Sequence, residues 1–320
     1  GGLIEGTLGL LAKYWRKIIT PVVAASVVTA IGYSLFTVGT RSFGGGYTEN
    51  FGSPQNLLLG TITLVACLLF NIFAKGYWKQ LSVLVGLIIG YLVALAMGMV
   101  DLSGIFSGGY LSLPRLLPYF PEFNIGAIAS VTIIFMVSAA ETIGDTTAVV
   151  SSGLGREIQT SEISGSLACD GYASAISSLF GCPPVTSFSQ NVGLVAMTKV
   201  VNRFAISTGA IFLILCGLCP KLGAVVSIMP QSVLGGAAVM MFSSIVISGI
   251  QLITKEPLTP RSLSIVSVAL GVGYGMGANT GVLAHAPQAV QLIFGGSGIV
   301  PAAMVAILLN ILLPKETAAK

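Results

Sequence analysis

The sequence predicts an all-α protein that crosses a lipid bilayer about ten times, and three observations support this fold class. Only 8% of its 320 residues are charged, while 54% are hydrophobic and the mean hydropathy is +0.93. A soluble domain carries roughly 25% charged residues, because water must hydrate its surface. Apolar segments of membrane-spanning length recur along the chain. The 40 glycines suit the close packing of helices within a membrane.

The individual spans are predicted from runs of apolar residues near the length that a helix needs to cross the hydrocarbon core, about 20 residues. In chain order these runs cover 20–39, 57–73, 80–100, 125–149, 163–180, 186–202, 204–222, 231–252, 262–279 and 298–313. Several of them are short or contain Gly and Pro, which weakens a continuous helix.

The basic residues test this number of spans. If the N-terminal end is cytoplasmic, only Arg41, Arg115 and Lys221 of the 15 basic residues fall in outside loops. The other twelve fall in inside loops: Lys13, Arg16, Lys17, Lys75, Lys79, Arg156, Lys199, Arg203, Lys255, Arg261, Lys315 and Lys320. Cytoplasmic loops carry an excess of Lys and Arg. The distribution therefore predicts the span number and a cytoplasmic C-terminus.

A weak internal repeat is also visible. Pro21 opens one apolar helix and Pro230 opens another, seven predicted spans later. An odd offset inverts the second copy, as in the inverted repeats of many secondary transporters. Proline is common at helix starts in general, so this match alone does not establish a repeat.

Three acidic residues stand out because they lie within predicted spans. Of the eleven acidic residues, eight are expected in loops or at ends, and the exceptions are Glu141, Asp145 and Asp170. Glu141 and Asp145 are four residues apart and share one helix face. A charged group at bilayer depth costs about 2.5–3.5 kcal/mol on insertion scales, so it faces a cavity or a partner. A hydrogen bond between helices is the structural alternative for each of them.

The segment 181–193 combines two prolines with a β-favouring run, so a full helix cannot begin there. We expect a short extended piece near 185–190, followed by a half-helix. Irregular backbone at membrane depth lines a polar site, and the new helix start adds positive potential. Gln190 and Asn191 supply paired donors and acceptors for a planar, amide-rich ligand.

These residues closely resemble the nucleobase–ascorbate transporter family, the xanthine and uracil permeases. The resemblance rests on Glu141-Thr142-Ile143-Gly144-Asp145, on Asp170-Gly171, and on Gln190-Asn191-x-Gly193 with Thr198-Lys199 and Asn202-Arg203. It implies two inverted seven-span repeats, divided into a core and a gate domain. The gate parts would be 14–110 and 226–314, and the core part 120–225. The family has about fourteen spans, so the chain is expected to begin late in the fourth, without the first-repeat core spans.

The resemblance also implies roles for individual residues. Glu141 would bind the ring N–H groups of a nucleobase, Gln190 would bind it from the facing side, and Asn191 would belong to the same site. The backbone around Phe188 and Ser189 would complete the cradle. Asp145 and Asp170 would be polar anchors or lie in the proton path. Uracil carriers tend to have an acid at the Gln190 position and a histidine at the Asp145 position, so the resemblance points to the purine branch.

The expected function is thus import of xanthine or uric acid across a bacterial inner membrane by cation symport. The expected coupling ion is a proton, with sodium as the alternative, and no other cofactor or metal is expected. The expected partners are a purine nucleobase and the bilayer, with a homodimer left open and no nucleic acid.

Three alternatives remain open from the sequence. They are a uracil or pyrimidine permease of the same family, a truncated non-transporting remnant, and an anion exchanger of the sulfate-carrier kind. The carboxylate at Glu141 disfavours the exchanger. No close nucleophile–base pair is present in the sequence, so an enzyme is not expected.

Overall fold

A computed structural model describes residues 1–11, 20–103, 109–188, 190–255, 258–295 and 298–314 of the chain. Among the basic residues, Lys13, Arg16, Lys17, Lys315 and Lys320 lie outside these ranges.

The described chain is built from helices. They are α1 (Gly2–Leu10), α2 (Pro21–Phe43), α3 (Pro54–Phe73), α4 (Tyr77–Gln80), α5 (Ser82–Ala96), α6 (Ile125–Val149), α7 (Thr160–Leu179), α8 (Gln190–Thr198), α9 (Arg203–Gly217), α10 (Pro220–Ser227), α11 (Gln231–Lys255), α12 (Pro260–Ala278), α13 (Gln288–Phe294) and α14 (Ile299–Leu312). A π-helical turn (Val150–Leu154) extends α6, and a 3-10 turn (Thr280–Leu283) follows α12.

Polar caps explain where several of these helices begin. Before α3, the Ser53 side chain accepts a hydrogen bond from the Asn56 amide at 3.3 Å, and Pro54 occupies the first helical position. Before α6, the Asn124 side chain accepts from the Ala127 amide at 3.1 Å. Such caps satisfy amide groups that lack a partner within the helix.

Within the described residues, four helices are long and apolar enough to cross a membrane: α2, α3, α6 with its π-helical turn, and α11. They confirm helices at four of the predicted spans, 20–39, 57–73, 125–149 and 231–252. Helices α5 and α14 are apolar but shorter, with 15 and 14 residues. The chain is therefore all-α in type with several membrane-length helices, and the number of ten crossings stays a prediction.

The predicted span 204–222 is not one continuous helix. Helices α9 and α10 meet there at an angle of 81°. Pro220 lacks the amide proton that would continue α9, and it occupies the first turn of α10, where no such proton is needed. The proline therefore accounts for the break.

The predicted strand near 185–190 is not confirmed. Residues 182–188 belong to neither a helix nor a strand, and α8 begins at Gln190. Ser189 lies outside the described residues.

One compact unit comprises Gly1–Ser34, Leu116–Val192 and Ser244–Lys320. Its main core joins α2, α12 and α14 through small and branched apolar side chains: Val23, Val27, Ile265, Ala269, Ala303 and Ala306. In the same unit, α1 packs along α7, and α7 packs along α6. This unit holds the predicted site residues.

The second unit comprises Leu35–Arg115 and Gly193–Ser243. Its core joins α3, α5 and α11 through Leu59, Ala94 and Val233, none of which is exposed to solvent. The division into core and gate domains stays a prediction.

Candidate functional site

The candidate site is formed by α6, α7 and residues 182–188 between α7 and α8, called here the irregular segment. Helix α6 places Glu141 and Asp145 one turn apart, and α7 places Asp170 beside α6. Glu141 and Asp145 are both partly buried. The two helices are held together by an apolar cluster of Ala139, Ile163 and Leu167.

A hydrogen-bond network joins the two aspartates. The Thr142 hydroxyl donates to Asp170 Oδ2 at 2.5 Å, and the Ser187 hydroxyl donates to Asp145 Oδ2 at 2.9 Å. Ser187 therefore fixes the irregular segment against α6.

The direction of these bonds follows from the number of protons. The Thr142 and Ser187 oxygens lie 3.4 Å apart, yet each hydroxyl has one proton. Thr142 gives its proton to Asp170 and Ser187 gives its proton to Asp145. No hydroxyl proton is left for a hydrogen bond between Thr142 and Ser187, because both protons are donated to carboxylates.

The backbone of the irregular segment is satisfied by serines of α7. Ser174 donates to the Val185 carbonyl at 3.0 Å and accepts from the Val185 amide at 3.1 Å. Ser177 donates to the Pro183 carbonyl at 2.8 Å. These side chains take the place of strand or helix partners, which explains why backbone without regular structure persists next to the helices.

Two of the other predicted site residues are exposed. The Phe188 side chain is 51% exposed, and Asn191, in the first turn of α8, is also exposed. Phe188 directly follows the bonded Ser187, so it lies at the border of the polar network.

The contacts of two more predicted site residues are not tested. Ser189 lies outside the described residues, and Gln190 is the first residue of α8. The predicted roles of both residues stay predictions.

Three residues make contacts that the sequence pattern does not predict. Thr142 and Ser187 belong to the predicted segments, but the pattern assigns no role to their hydroxyls. Glu5 was expected at a chain end, yet it is buried on α1 against α7. The signal was present in the spacing of Gly2, Gly6 and Gly9, because small residues at this spacing mark a close helix contact.

An ion pair lies outside the apolar part of α7, at its start. Arg156 contacts Glu162 at 2.5 Å, and the Gln159 amide donates to the same carboxylate at 2.9 Å. The hydrogen bond from Arg156, followed by that from Gln159, lowers the pKa of Glu162 to about 2. The carboxylate therefore stays charged over the whole physiological pH range and helps to begin α7.

Most of this sequence matches the profile of one protein family. Residues 1–281 match the profile of the Permease family of xanthine and uracil permeases.

Individual relatives match almost the whole chain. The xanthine permease XanQ of Escherichia coli (strain K12) is 34% identical over 320 residues, covering 98% of this chain and 68% of the relative. The xanthine permease XanP of the same strain is 33% identical over 309 residues, covering 94% and 66%. The uric acid permease PucJ of Bacillus subtilis (strain 168) is 33% identical over 316 residues, covering 94% and 69%. The chain thus spans about two thirds of the length of these relatives.

Proposed function

Because the chain belongs to the Permease family of xanthine and uracil permeases, we propose that it carries a purine nucleobase of the xanthine or uric acid type across a bacterial inner membrane. As a member of this family it is a multi-pass membrane transporter and not an enzyme. The proposed mechanism is symport with a cation, and the proposed cation is a proton.

The observation that carries this proposal is the position of Glu141. Glu141 precedes Thr142, which donates to Asp170, and it lies one helical turn before Asp145, which accepts from Ser187. Both aspartates are thus held by protein hydroxyls. Glu141 is suited to accept hydrogen bonds from the ring N–H groups of a purine dione, because an ionised carboxylate accepts but does not donate.

The remaining roles complete the proposed site. Gln190, at the start of α8, would pair its amide with adjacent carbonyl and N–H groups of the purine. Phe188 and Ser189 would border the ring with their backbone, and Asn191 would contribute a further amide. Asp145 would anchor the irregular segment through Ser187, Asp170 would be held by Thr142, and both aspartates would take part in proton transfer.

The relatives favour the purine assignment over a pyrimidine one, since two are named as xanthine permeases and one as a uric acid permease. A uracil permease stays the alternative within the family, and sodium stays the alternative coupling ion. A non-transporting protein is the third alternative, and a homodimer stays untested.

The test is uptake of radiolabelled xanthine, uric acid and uracil by cells that express the protein. We expect xanthine or uric acid to be accumulated and uracil to compete poorly. Glu141→Gln should abolish high-affinity uptake while the protein still reaches the membrane, because charge-assisted hydrogen bonds are about twice as strong as neutral ones.

The matched control is Glu122→Gln, which makes the same chemical change at an exposed residue of the same unit. This control should transport like the wild type. Preferred uptake of uracil would overturn the purine assignment, and unchanged uptake in Glu141→Gln would remove Glu141 from the site.

A further inference from the structure

Glu5 is a buried acid on the face of α1 that packs against α7. The buried residues of α1 are Gly2, Glu5, Gly6 and Gly9, and the Glu5 side chain is only 3% exposed. A β-carbon added at Gly2 would overlap the Gly171 carbonyl. The two helices therefore touch at the backbone, and the Glu5 carboxyl is enclosed within this contact.

Both carboxyl oxygens of Glu5 lack a hydrogen-bond partner among the described residues. An ionised carboxylate that is removed from water needs hydrogen-bond donors or a cation to offset its lost hydration. The described surroundings of Glu5 provide no hydrogen-bond donor. The positive amino group of Gly1 offsets part of the cost, but burial acts more strongly and favours the neutral carboxylic acid. A group of this kind binds a proton in one conformation and releases it when its surroundings change.

An acidic residue that acts on Glu5 belongs to the candidate site. Asp170 on α7 lies close enough for its charge to act on the Glu5 carboxyl. The other ionisable groups on the elements around Glu5 are the amino group of Gly1, Glu141 and Asp145 on α6, and Glu162, Cys169 and Tyr172 on α7, where the Tyr172 ring packs on Gly6. Two adjacent carboxylates resist being charged together. The charge on Asp170 therefore favours a proton on Glu5.

We propose that Glu5 is a proton-binding residue of the transport cycle and acts on the substrate site through Asp170 and Thr142. This inference rests on the proposed proton-coupled transport. On the side where transport begins, the Glu5 carboxylate takes one proton from a hydronium ion, whose O–H bond breaks as the carboxyl O–H bond forms. On the other side the carboxyl O–H bond breaks and the proton passes to water, so no further reactant is needed.

The test uses the purified protein in proteoliposomes with radiolabelled xanthine. Two assays are compared: exchange of internal for external xanthine without an ion gradient, and accumulation driven by an imposed proton gradient. We expect Glu5→Gln, which cannot release a proton, to keep the exchange and to lose the accumulation. Glu122→Gln, the exposed control, should keep both.

Each outcome decides between the two proposals. Wild-type protein that neither exchanges nor accumulates xanthine or urate would overturn the proposed function. If wild-type protein transports but Glu5→Gln accumulates xanthine equally well, the inference about Glu5 is wrong while the proposed function stands. Accumulation by the wild type that needs a sodium gradient instead of a proton gradient would also overturn the role of Glu5.

A second variant covers the case in which Glu5→Gln fails to fold and loses exchange as well. Glu5→Asp keeps an ionisable carboxyl but moves it by one methylene group. We expect proton-driven accumulation to persist with a displaced pH profile. A profile identical to that of the wild type would show that Glu5 does not titrate during transport.

Discussion

Thr142 holds Asp170 in place within the candidate site. None of its side chain is exposed, and its only hydroxyl proton is directed at the Asp170 carboxylate. Ser187 has the same relation to Asp145. A hydroxyl group thus helps to hold each aspartate, and each hydroxyl can be removed with little change in volume.

We expect Thr142→Val to destabilise the protein by about 1.5–3 kcal/mol, the usual range for a lost hydrogen bond to a charged group. Xanthine uptake should fall as well, because Asp170 would lose the donor that orients it. Melting temperature in detergent and uptake in cells are the two measurements. Thr142→Ser keeps the hydroxyl and is the matched control. Equal behaviour of the valine and serine variants would mean that the bond to Asp170 has no role.

At the scale of helices, the contact between α1 and α7 depends on glycine. A β-carbon at Gly171 would overlap the backbone of Gly6. We expect Gly171→Ala to destabilise the protein by about 1–3 kcal/mol, as is typical when a packed contact is overfilled. The measurement is the melting temperature in detergent.

Gly165 provides the control on the same helix. A β-carbon at this position would meet nothing within 4 Å, so Gly165→Ala adds no clash. Alanine is favoured over glycine within a helix by about 1 kcal/mol. We therefore expect Gly165→Ala to be neutral or stabilising. A similar loss of stability in both variants would show that an added methyl group on α7 is destabilising even without a contact to α1.

The ion pair at the start of α7 predicts a pH dependence. The pKa of Glu162 is lowered from 4.5 to about 2. The folded state therefore gains stability above pH 4.5, and this gain is lost as the pH falls from 4.5 towards 2. Glu162→Gln should melt below the wild type at neutral pH, and the difference should shrink in acid. A difference that stays constant down to the lowest pH would contradict an electrostatic origin.

At the scale of the whole molecule, the distribution of basic residues predicts an orientation. The loop that contains Glu49 should face outside, and the loop that contains Glu157 should face the cytoplasm. Both glutamates are exposed. In a variant without the five native cysteines, a membrane-impermeant maleimide should label Glu49→Cys in right-side-out vesicles. Glu157→Cys should react only after the membrane is opened. The reverse pattern would invert the topology.

The sequence predicted those features that depend on hydrophobic length and local chemistry. The long apolar helices α2, α3, α6 and α11 lie at the positions that the apolar runs predict. The acids of α6 were recognised because charged groups are rare within apolar segments.

The remaining features depend on contacts between distant parts of the chain. Glu5 lies on a nine-residue helix, too short to be recognised as a span, and only its packing on α7 shows that it is buried. The bonds of Thr142 and Ser187 join residues 28 and 42 positions apart in the chain, a distance that local periodicity does not encode. The 81° bend after Gly217 depends on one proline in a segment that is apolar throughout.

The glycine contact between α1 and α7 has a mechanical consequence. Side chains can yield by changing rotamers, but two backbones in direct contact have no such freedom, and packed cores switch between discrete arrangements instead of deforming. Any displacement of α7 during a transport cycle must therefore carry α1 along, so that the two helices move as one rigid body. The spacing between the carboxyls of Glu5 and Asp170 would then stay constant while both travel, and the parts that change would be the surroundings they meet at each end of the movement.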